Sequence, residues 1–194
     1  MLSFSVPQTS GFFNFSVENG CVLFAGSRRG YIPRQVCSDL ISAFGSLGFS
    51  FLTGCARGVD ESFRLALSDS DSAYSEATIT ACAFRERAER LKGFTLFVVP
   101  DGLPPKVALA KRTLWMTSRC SLLILFPSDP IGRGSALAFR SAIYNNKPVF
   151  VVSKTKPQES SLYSVMSSSL FGVVEGFWCV PPVYDETGLC YEVV

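Results

Sequence analysis

Two glycine-rich turns, in CVLFAGSRRG (21–30) and SFLTGCARGVDESF (50–63), decide the fold predicted for this sequence. Each stretch begins as a short apolar run, which is typical of a strand buried in a parallel sheet. Each then passes through small residues into a segment whose apolar residues recur every three or four positions, as in an amphipathic helix. A buried strand, a tight turn and a helix form the repeating unit of an α/β protein.

The same alternation continues along the chain. Further strands are predicted at 75–84, 121–127 and 148–153, with 94–100 as an additional candidate, and helices at about 33–47, 59–67, 104–119 and 135–145. This order predicts an α/β fold of the Rossmann-like, doubly wound type, with a mostly parallel sheet and helices on both faces. We expect a single domain over 1–194, with its Rossmann-like core at 21–153. The C-terminal extension, 154–194, can form a hairpin that turns near Asp185–Gly188.

Composition indicates a globular protein, since 47% of the residues are hydrophobic and 18% are charged. The net charge of only +2 argues against a general affinity for polyanions but leaves a local basic cluster open. No apolar run reaches the roughly 18–20 residues that a membrane span needs, so no membrane partner is expected. The apolar N-terminus lacks a basic start, which favours an ordered strand or arm over a signal peptide.

Cysteine and histidine usage limits the possible chemistry. The seven cysteines are scattered without a CxxC pair, which favours reduced, structural thiols in a cytoplasmic protein over disulfides or a metal site. The chain has no histidine, which excludes Ser-His-Asp and Cys-His catalysis and histidine-ligated metals. No cofactor is expected.

Three turns after predicted strands share one chemical character. Each combines small residues, which let backbone N–H groups approach a phosphate, with a helix N-terminus and at least one arginine. Such glycines can serve turn geometry alone, but their recurrence favours a binding crevice at the carboxyl ends of the strands. None of the turns matches a P-loop or a GxGxxG motif. The members are Gly26, Ser27, Arg28 and Arg29 in the first turn (26–30), Gly54, Arg57, Gly58 and Asp60 in the second (53–60), and Gly132, Arg133, Gly134 and Ser135 in the third (132–135).

The order of FAGSRR, LTGCARGVDESFRLAL and GRGSALAFRSAIYNNKPVFVV resembles the Rossmann-like domain of the DNA-processing protein A (DprA) family, over about residues 21–153. That family has a Gly-Ser-Arg first turn and a Gly-x-Ala-Arg-Gly-Ile-Asp second turn. It shares a DprA/LOG-like (SLOG) superfamily with the LOG-type phosphoribohydrolases. The resemblance implies that the three turns line a phosphate-binding crevice, and a loose match to the Arg-Lys-x-x-Met helix of the phosphoribohydrolases adds Arg112. It also implies that Asp60 caps its helix and orients Arg57, since a carboxylate would repel an anionic ligand.

One position separates this chain from the phosphoribohydrolases that it resembles. Their late turn is followed by a glutamate that assists cleavage of the N-glycosidic bond, whereas the aligned residue here is Ala138 and the nearest charge on that helix is Arg140. An oxocarbenium-like transition state needs a carboxylate near the sugar, so we expect binding without this hydrolysis. An enzyme acting on nucleoside phosphates stays open, with Asp60, Glu61 or Asp101 as the carboxylate. An assembly protein with a vestigial crevice stays open as well.

The expected partner is a nucleotide or a nucleotide-derived ligand, with single-stranded DNA as a second candidate. Tyr31, beside Arg28 and Arg29, is the predicted base-stacking residue. The 194 residues contain no recognisable winged-helix-like module of the kind found in DprA, so any DNA would be bound by the core alone. Long apolar helices predict a homodimer. The identity of the ligand and the presence of catalysis are left open.

Overall fold

Strands and helices alternate along the chain, as the sequence predicts. The structure, a computed structural model, describes residues 3–8, 11–16, 20–69, 74, 76–184 and 190–191, with side chains for 20–69, 74 and 76–182. The strands are β1 (Ser3–Gln8), β2 (Gly11–Ser16), β3 (Cys21–Gly26), β4 (Ser50–Gly54), β5 (Thr78–Cys82), β6 (Thr95–Phe97), β7 (Leu122–Phe126), β8 (Val149–Val151), β9 (Ser164–Leu170), β10 (Val174–Val180), β11 (Val183–Tyr184) and β12 (Cys190–Tyr191). The helices are α1 (Arg34–Ser46), α2 (Val59–Asp69), α3 (Arg85–Ala88), α4 (Pro105–Arg119) and α5 (Arg133–Tyr144).

Eight strands form one sheet in the order β6-β5-β4-β3-β7-β8-β10-β9. The first six of these are parallel to one another, and β10 and β9 extend the sheet in antiparallel pairing. Chain order reverses between β3 and β7, which makes this boundary the topological switch point of the sheet. The predicted Rossmann-like, mostly parallel architecture is confirmed.

Helices cover both faces of the sheet, also as predicted. Along β3, Val22 and Phe24 pack in a buried cluster with residues of α1 and α2, while Leu23 and Ala25 pack in a second cluster with residues of α4 and α5. This alternation follows from the two-residue period of a strand. Because both faces are covered, β7 is buried at all five of its positions, which explains its unbroken apolar sequence LLILF.

Aromatic rings fill the cluster under α1 and α2. The rings of Phe24 and Phe63 stack 3.9 Å apart and nearly parallel, and Phe44 meets Phe24 edge-on at 6.3 Å. These rings join β3 to both helices and fix the start of α2 relative to the end of β3.

The sequence missed one antiparallel pair and predicted several strands too long, among them 94–100, which is limited to Thr95–Phe97. Residues 158–169 include the start of β9, which pairs with β10 around a turn at Phe171 and Gly172, both in the left-handed region of φ. The predicted third strand, 75–84, is limited to Thr78–Cys82. The backbones of β11 and β12 pair antiparallel, Val183 with Tyr191. The turn predicted near Asp185–Gly188 lies outside the described residues.

The N-terminal stretch forms an antiparallel pair of strands, β1 and β2, which agrees with the predicted strand or arm. None of the helices in the described ranges is long and apolar enough to span a bilayer. Six cysteines have described thiols, and all six are free. The side chain of Cys190, the seventh, lies outside the described part.

Candidate phosphate-binding site

The first turn lies directly against the end of β7. The backbone N–H of Ser27 donates a hydrogen bond to the carbonyl of Phe126 at 2.9 Å. A Cβ placed on Gly26 would come within 2.2 Å of that carbonyl oxygen and 2.8 Å of the Val59 side chain. Only glycine therefore fits at position 26, because the backbone of β7 and the start of α2 approach it from two sides.

The first and second turns are in direct main-chain contact. The carbonyl of Ser27 accepts a hydrogen bond from the N–H of Val59 at 3.1 Å. Gly58 adopts a φ of +77°, and a Cβ there would lie 2.4 Å from the Ser27 carbonyl oxygen and 2.7 Å from that of Arg28. Position 58 thus requires glycine both for its backbone conformation and for the close approach of the two turns.

A buried ion pair packs against the second turn on the side away from solvent. Asp60 is 5% exposed and Arg112 is 6% exposed, and the Arg112 Nη2 lies 3.8 Å from the Asp60 Oδ2. The same carboxylate oxygen accepts the backbone N–H of Ala56 at 3.3 Å. A Cβ on Gly54 would come within 2.2 Å of this oxygen, so glycine is also needed where the strand ends. Asp60 therefore pairs with Arg112. The described side chains show no contact between Asp60 and Arg57, which Asp60 was expected to orient.

Arg112 also reaches the thiol of Cys55, to which its Nη1 donates a hydrogen bond at 3.2 Å. The pKa of the Cys55 thiol is lowered overall. Burial alone would raise this pKa, but the charge of Arg112 and hydrogen bonds with Ala83, Arg112 and Cys82 outweigh the effect of burial. The Arg112 Nε has no hydrogen-bond partner among the described residues. Sequence reasoning grouped Arg112 with the ligand-binding residues, whereas the structure places it beneath the second turn, in contact with protein groups.

Arg64, in α2, contacts the second turn and was not among the residues predicted from the sequence. Its Nη1 donates hydrogen bonds to the carbonyls of Gly54, at 2.5 Å, and of Ala56, at 2.9 Å. These hydrogen bonds connect the first half of α2 to the turn that precedes the helix. The i, i+4 spacing from Asp60 puts both side chains on one side of α2, which is the signal that points to it.

The third turn leads from β7 into α5. Gly132 precedes the helix as its N-cap, Arg133 is exposed, and Ser135 is buried. A Cβ on Gly134 would meet no atom within 4 Å, so the space beside it is open. The first turn of α5 holds no acidic residue, whereas that of α2 holds Asp60 and Glu61. The N-terminus of α5 is the more favourable of the two for an anion, because no carboxylate opposes its helix dipole.

The arginines of the three turns project into solvent. The side chains of Arg28, Arg29, Arg57 and Arg133 are exposed, and none of them makes an ion pair within the described part of the chain. Tyr31 is 76% exposed beside the first turn. The first two turns are in contact, and the third follows β7, the strand on which the first turn rests. Cationic side chains thus come from adjacent strand ends, which matches the chemistry of an anion site.

The candidate carboxylates lie in three different settings. Asp60 is buried against Arg112, Glu61 is exposed on α2, and Asp101 pairs with Arg85 at 3.2 Å beyond β6. Ala138, at the position of the phosphoribohydrolase glutamate, is 3% exposed and packs in the core cluster on the α5 face.

The class of architecture is therefore a Rossmann-like α/β sheet with glycine- and arginine-rich turns at its switch point, and known proteins share this fold. No protein-family model matches the sequence, and no curated protein matches it in a sequence comparison. Among solved structures, DNA processing protein A from Helicobacter pylori, described for its single-stranded DNA binding mode, aligns with a TM-score of 0.54 at 22% identity. The alignment covers 72% of this chain and 66% of that one.

DNA processing protein A from Streptococcus pneumoniae aligns with a TM-score of 0.51 at 18% identity. This alignment covers 71% of the present chain but only 51% of the S. pneumoniae chain. The chain thus has a DprA-like fold and spans between half and two thirds of the length of these structures.

Proposed function

We propose that this chain binds the phosphate groups of a single-stranded nucleic acid or a nucleotide at the sheet edge that carries the three turns. The observation that carries the proposal is the close approach of the first two turns at Gly58, where a Cβ would lie 2.4 Å from the Ser27 carbonyl oxygen. This approach sets Arg28 and Arg57 on one continuous backbone unit. Two exposed guanidinium groups on such a unit suit a phosphate, which arginine binds in a bidentate manner.

Charge distribution within the site supports an anionic ligand. The buried carboxylate of the second turn, Asp60, is already opposed by Arg112 and lies close to Arg64. The exposed surface of the turns carries the arginines, so the local charge is positive although the whole chain has a net charge of only +2. A phosphate at the start of α5 gains from the helix dipole and from Arg133.

The fold supports nucleic acid as the ligand class. The H. pylori protein with which this chain shares its fold binds single-stranded DNA. Exposed Tyr31 next to the first turn provides an aromatic ring on which a base can stack, as in other single-strand binding sites.

The site does not favour phosphoribohydrolase chemistry. Cleavage of an N-glycosidic bond passes through a cationic sugar that a carboxylate stabilises. The aligned position holds buried Ala138, and the carboxylate of Asp60 is engaged beneath the second turn. The chain therefore binds its ligand without releasing the base.

Calorimetric titration tests the proposal with three ligands: AMP, dTMP and the oligonucleotide dT12. We expect at least one of these ligands to bind the wild-type protein, and Arg57→Gln to weaken that binding about tenfold. Arg119→Gln serves as the control, because Arg119 is exposed at the far end of α4. A folded sample that binds none of the three ligands would overturn the proposal. Base release from AMP would overturn its non-catalytic part.

A further inference from the structure

A cavity opens at the same edge of the sheet, beyond the second turn. It has a volume of about 560 Å³ and lies between α3 and the segment that joins β6 to α4. Its lining includes Ala83 and Phe84, which directly follow β5, and Phe97 of β6. β5 and β6 follow β4 in the sheet order and run parallel to it. The carboxyl ends of these strands therefore place the cavity beside the turn that follows β4. We refer to it as the arginine cleft, after Arg85, Arg87 and Arg90 in its wall.

One wall of the arginine cleft is a flat cationic platform. The Arg85 guanidinium lies over the ring of Phe97, 4.6 Å from its centroid, and its Nε is 3.2 Å from the Asp101 carboxylate. The ring contacts this guanidinium on one face and the carboxylate contacts it at one edge. Its other face is of the kind on which nucleobases stack.

Arg87, in the same wall, carries a positive charge that no described carboxylate neutralises in an ion pair. Arg85 pairs with Asp101, and Arg90 lies near Glu86, but Arg87 makes no ion pair or side-chain hydrogen bond within the described residues. Its guanidinium is therefore available to a ligand. The 3.7 Å ion pair between Arg90 and Glu86 joins two exposed side chains and is weak, but the Arg90 Nε also donates a hydrogen bond to the Glu86 carbonyl at 2.9 Å.

Arg87 also connects the arginine cleft to the second turn electrostatically. Arg64 donates to the carbonyls of Gly54 and Ala56 in that turn. Burial lowers the pKa of the Arg64 guanidinium, Asp60 and Glu61 oppose the shift, and the nearby charge of Arg87 lowers it further. The charges of Arg64 and Arg87 are thus close enough to interact, which places the arginine cleft next to the second turn.

We propose that the arginine cleft is a second nucleotide subsite, which takes the nucleotide next to the one held by the three turns. Its base stacks on the Arg85 platform, and the phosphate between the two nucleotides contacts Arg87. The cleft volume lies within the range of small-molecule sites, about 300–1,000 Å³, and accommodates one nucleotide. This inference rests on the proposed function, because it extends the same binding edge by one unit of a single strand.

The test compares dTMP with the oligonucleotide dT6 in calorimetric or anisotropy titrations. We expect Arg87→Gln to weaken dT6 binding about tenfold and to leave dTMP binding within about twofold, the loss expected for one phosphate or stacking contact. Arg85→Gln gives the same pattern, Arg57→Gln weakens both ligands, and Arg119→Gln changes neither. The side chains of Arg57, Arg85 and Arg119 are exposed and that of Arg87 is partly buried, so thermal melts verify that each variant folds.

The outcomes separate this inference from the proposed function. If Arg87→Gln binds dT6 as tightly as the wild type while Arg57→Gln loses affinity, the second subsite is wrong and the proposed function stands. If the wild type binds dT6 no more tightly than dTMP, the second subsite is also wrong. If the wild type binds neither dTMP nor dT6, the second subsite is wrong, and the proposed function fails with it if AMP and dT12 do not bind either. If only the Arg87→Gln variant loses affinity, the three turns are not the binding edge.

Discussion

The carbonyl oxygen of Ser27 accepts the backbone N–H of Val59 at 3.1 Å, which joins the turn after β3 to the first residue of α2. The same carbonyl accepts the N–H of Gly30 at 3.3 Å. Two turns that are about thirty residues apart in sequence are thereby fixed as one backbone unit. Their exposed arginines share a rigid support, which limits the entropy that ordering would cost on binding.

Replacing Gly58 with alanine should destabilise the protein more than the same change at a glycine with similar backbone conformation and free space. Gly58 has a φ of +77° and faces the Ser27 carbonyl oxygen, whereas Gly48 has a φ of +81° and a Cβ there would meet nothing within 4 Å. Gly48→Ala should cost about 1–2 kcal/mol of unfolding free energy, the penalty for left-handed backbone alone. Gly58→Ala adds a steric clash and should cost clearly more. Urea unfolding of both variants measures the difference, and equal losses would contradict the contact.

The buried pair of Asp60 and Arg112 should show energetic coupling. Arg112→Met leaves a buried carboxylate without its cation, and we expect a loss of about 3 kcal/mol in the free energy of unfolding. The double variant Asp60→Asn, Arg112→Met should lose less than the sum of the single losses, by about 1 kcal/mol or more. Strict additivity in urea unfolding would show that the two side chains do not interact.

An exposed ion pair in the same protein provides the matched control. Arg34 and Asp69 lie 2.9 Å apart, but their side chains are 68% and 45% exposed. Because solvent screens such a pair, Arg34→Met should change the free energy of unfolding by no more than about 1 kcal/mol.

The free energy of unfolding should fall in alkaline solution, because buried thiols ionise more easily in the unfolded chain. Burial raises the pKa of Cys179 from 9.0 to about 12. A raised pKa in the folded state means that this thiol favours folding below pH 9 and that its contribution is lost progressively as the pH rises towards 12. The expected slope is up to about 1.4 kcal/mol per pH unit for one thiol.

The variant Cys179→Ala isolates this thiol from other groups that titrate in the same range. Its free energy of unfolding should decline less steeply than that of the wild type between about pH 9 and pH 11, whatever the constant cost of the lost packing. Parallel slopes for the two proteins would show that Cys179 ionises equally in the folded and unfolded chains.

Salt should weaken oligonucleotide binding in proportion to the number of phosphate contacts. For a single strand, each neutralised phosphate contributes about 0.7 to the slope of log K against log salt concentration. Arg28→Gln and Arg57→Gln should each reduce the slope for dT12 by about that amount, while Arg119→Gln leaves it unchanged. A slope that is insensitive to Arg28 and Arg57 would place the phosphate contacts elsewhere.

The sequence predicted the parallel part of the sheet because buried parallel strands have unbroken apolar runs. The stretch SLLILFP contains β7, which is buried at every position. β9 was missed because its sequence, SVMSSSL, mixes exposed serines with buried Val165 and Leu170 and so lacks both an apolar run and a clear alternation. Its place in the sheet depends on pairing with β10, which no local pattern reveals.

Within the site, glycines were easier to predict than the partners of charged side chains. Gly26, Gly54 and Gly58 lie where main-chain or side-chain atoms approach closely. Such positions are recognisable in a sequence because they require glycine. The direction of Arg112 depends on how α4 packs below β4, which is a tertiary property. The same is true of Arg64, whose hydrogen bonds to the second turn have no motif of their own.

A titration of the ¹⁵N-labelled protein with dT6, followed by backbone amide chemical shifts, tests the central claim most directly. We expect the amide signals of 26–30, 54–59 and 132–135 to shift together and to report a single dissociation constant. Shifts confined to one turn, or located away from this edge of the sheet, would contradict it.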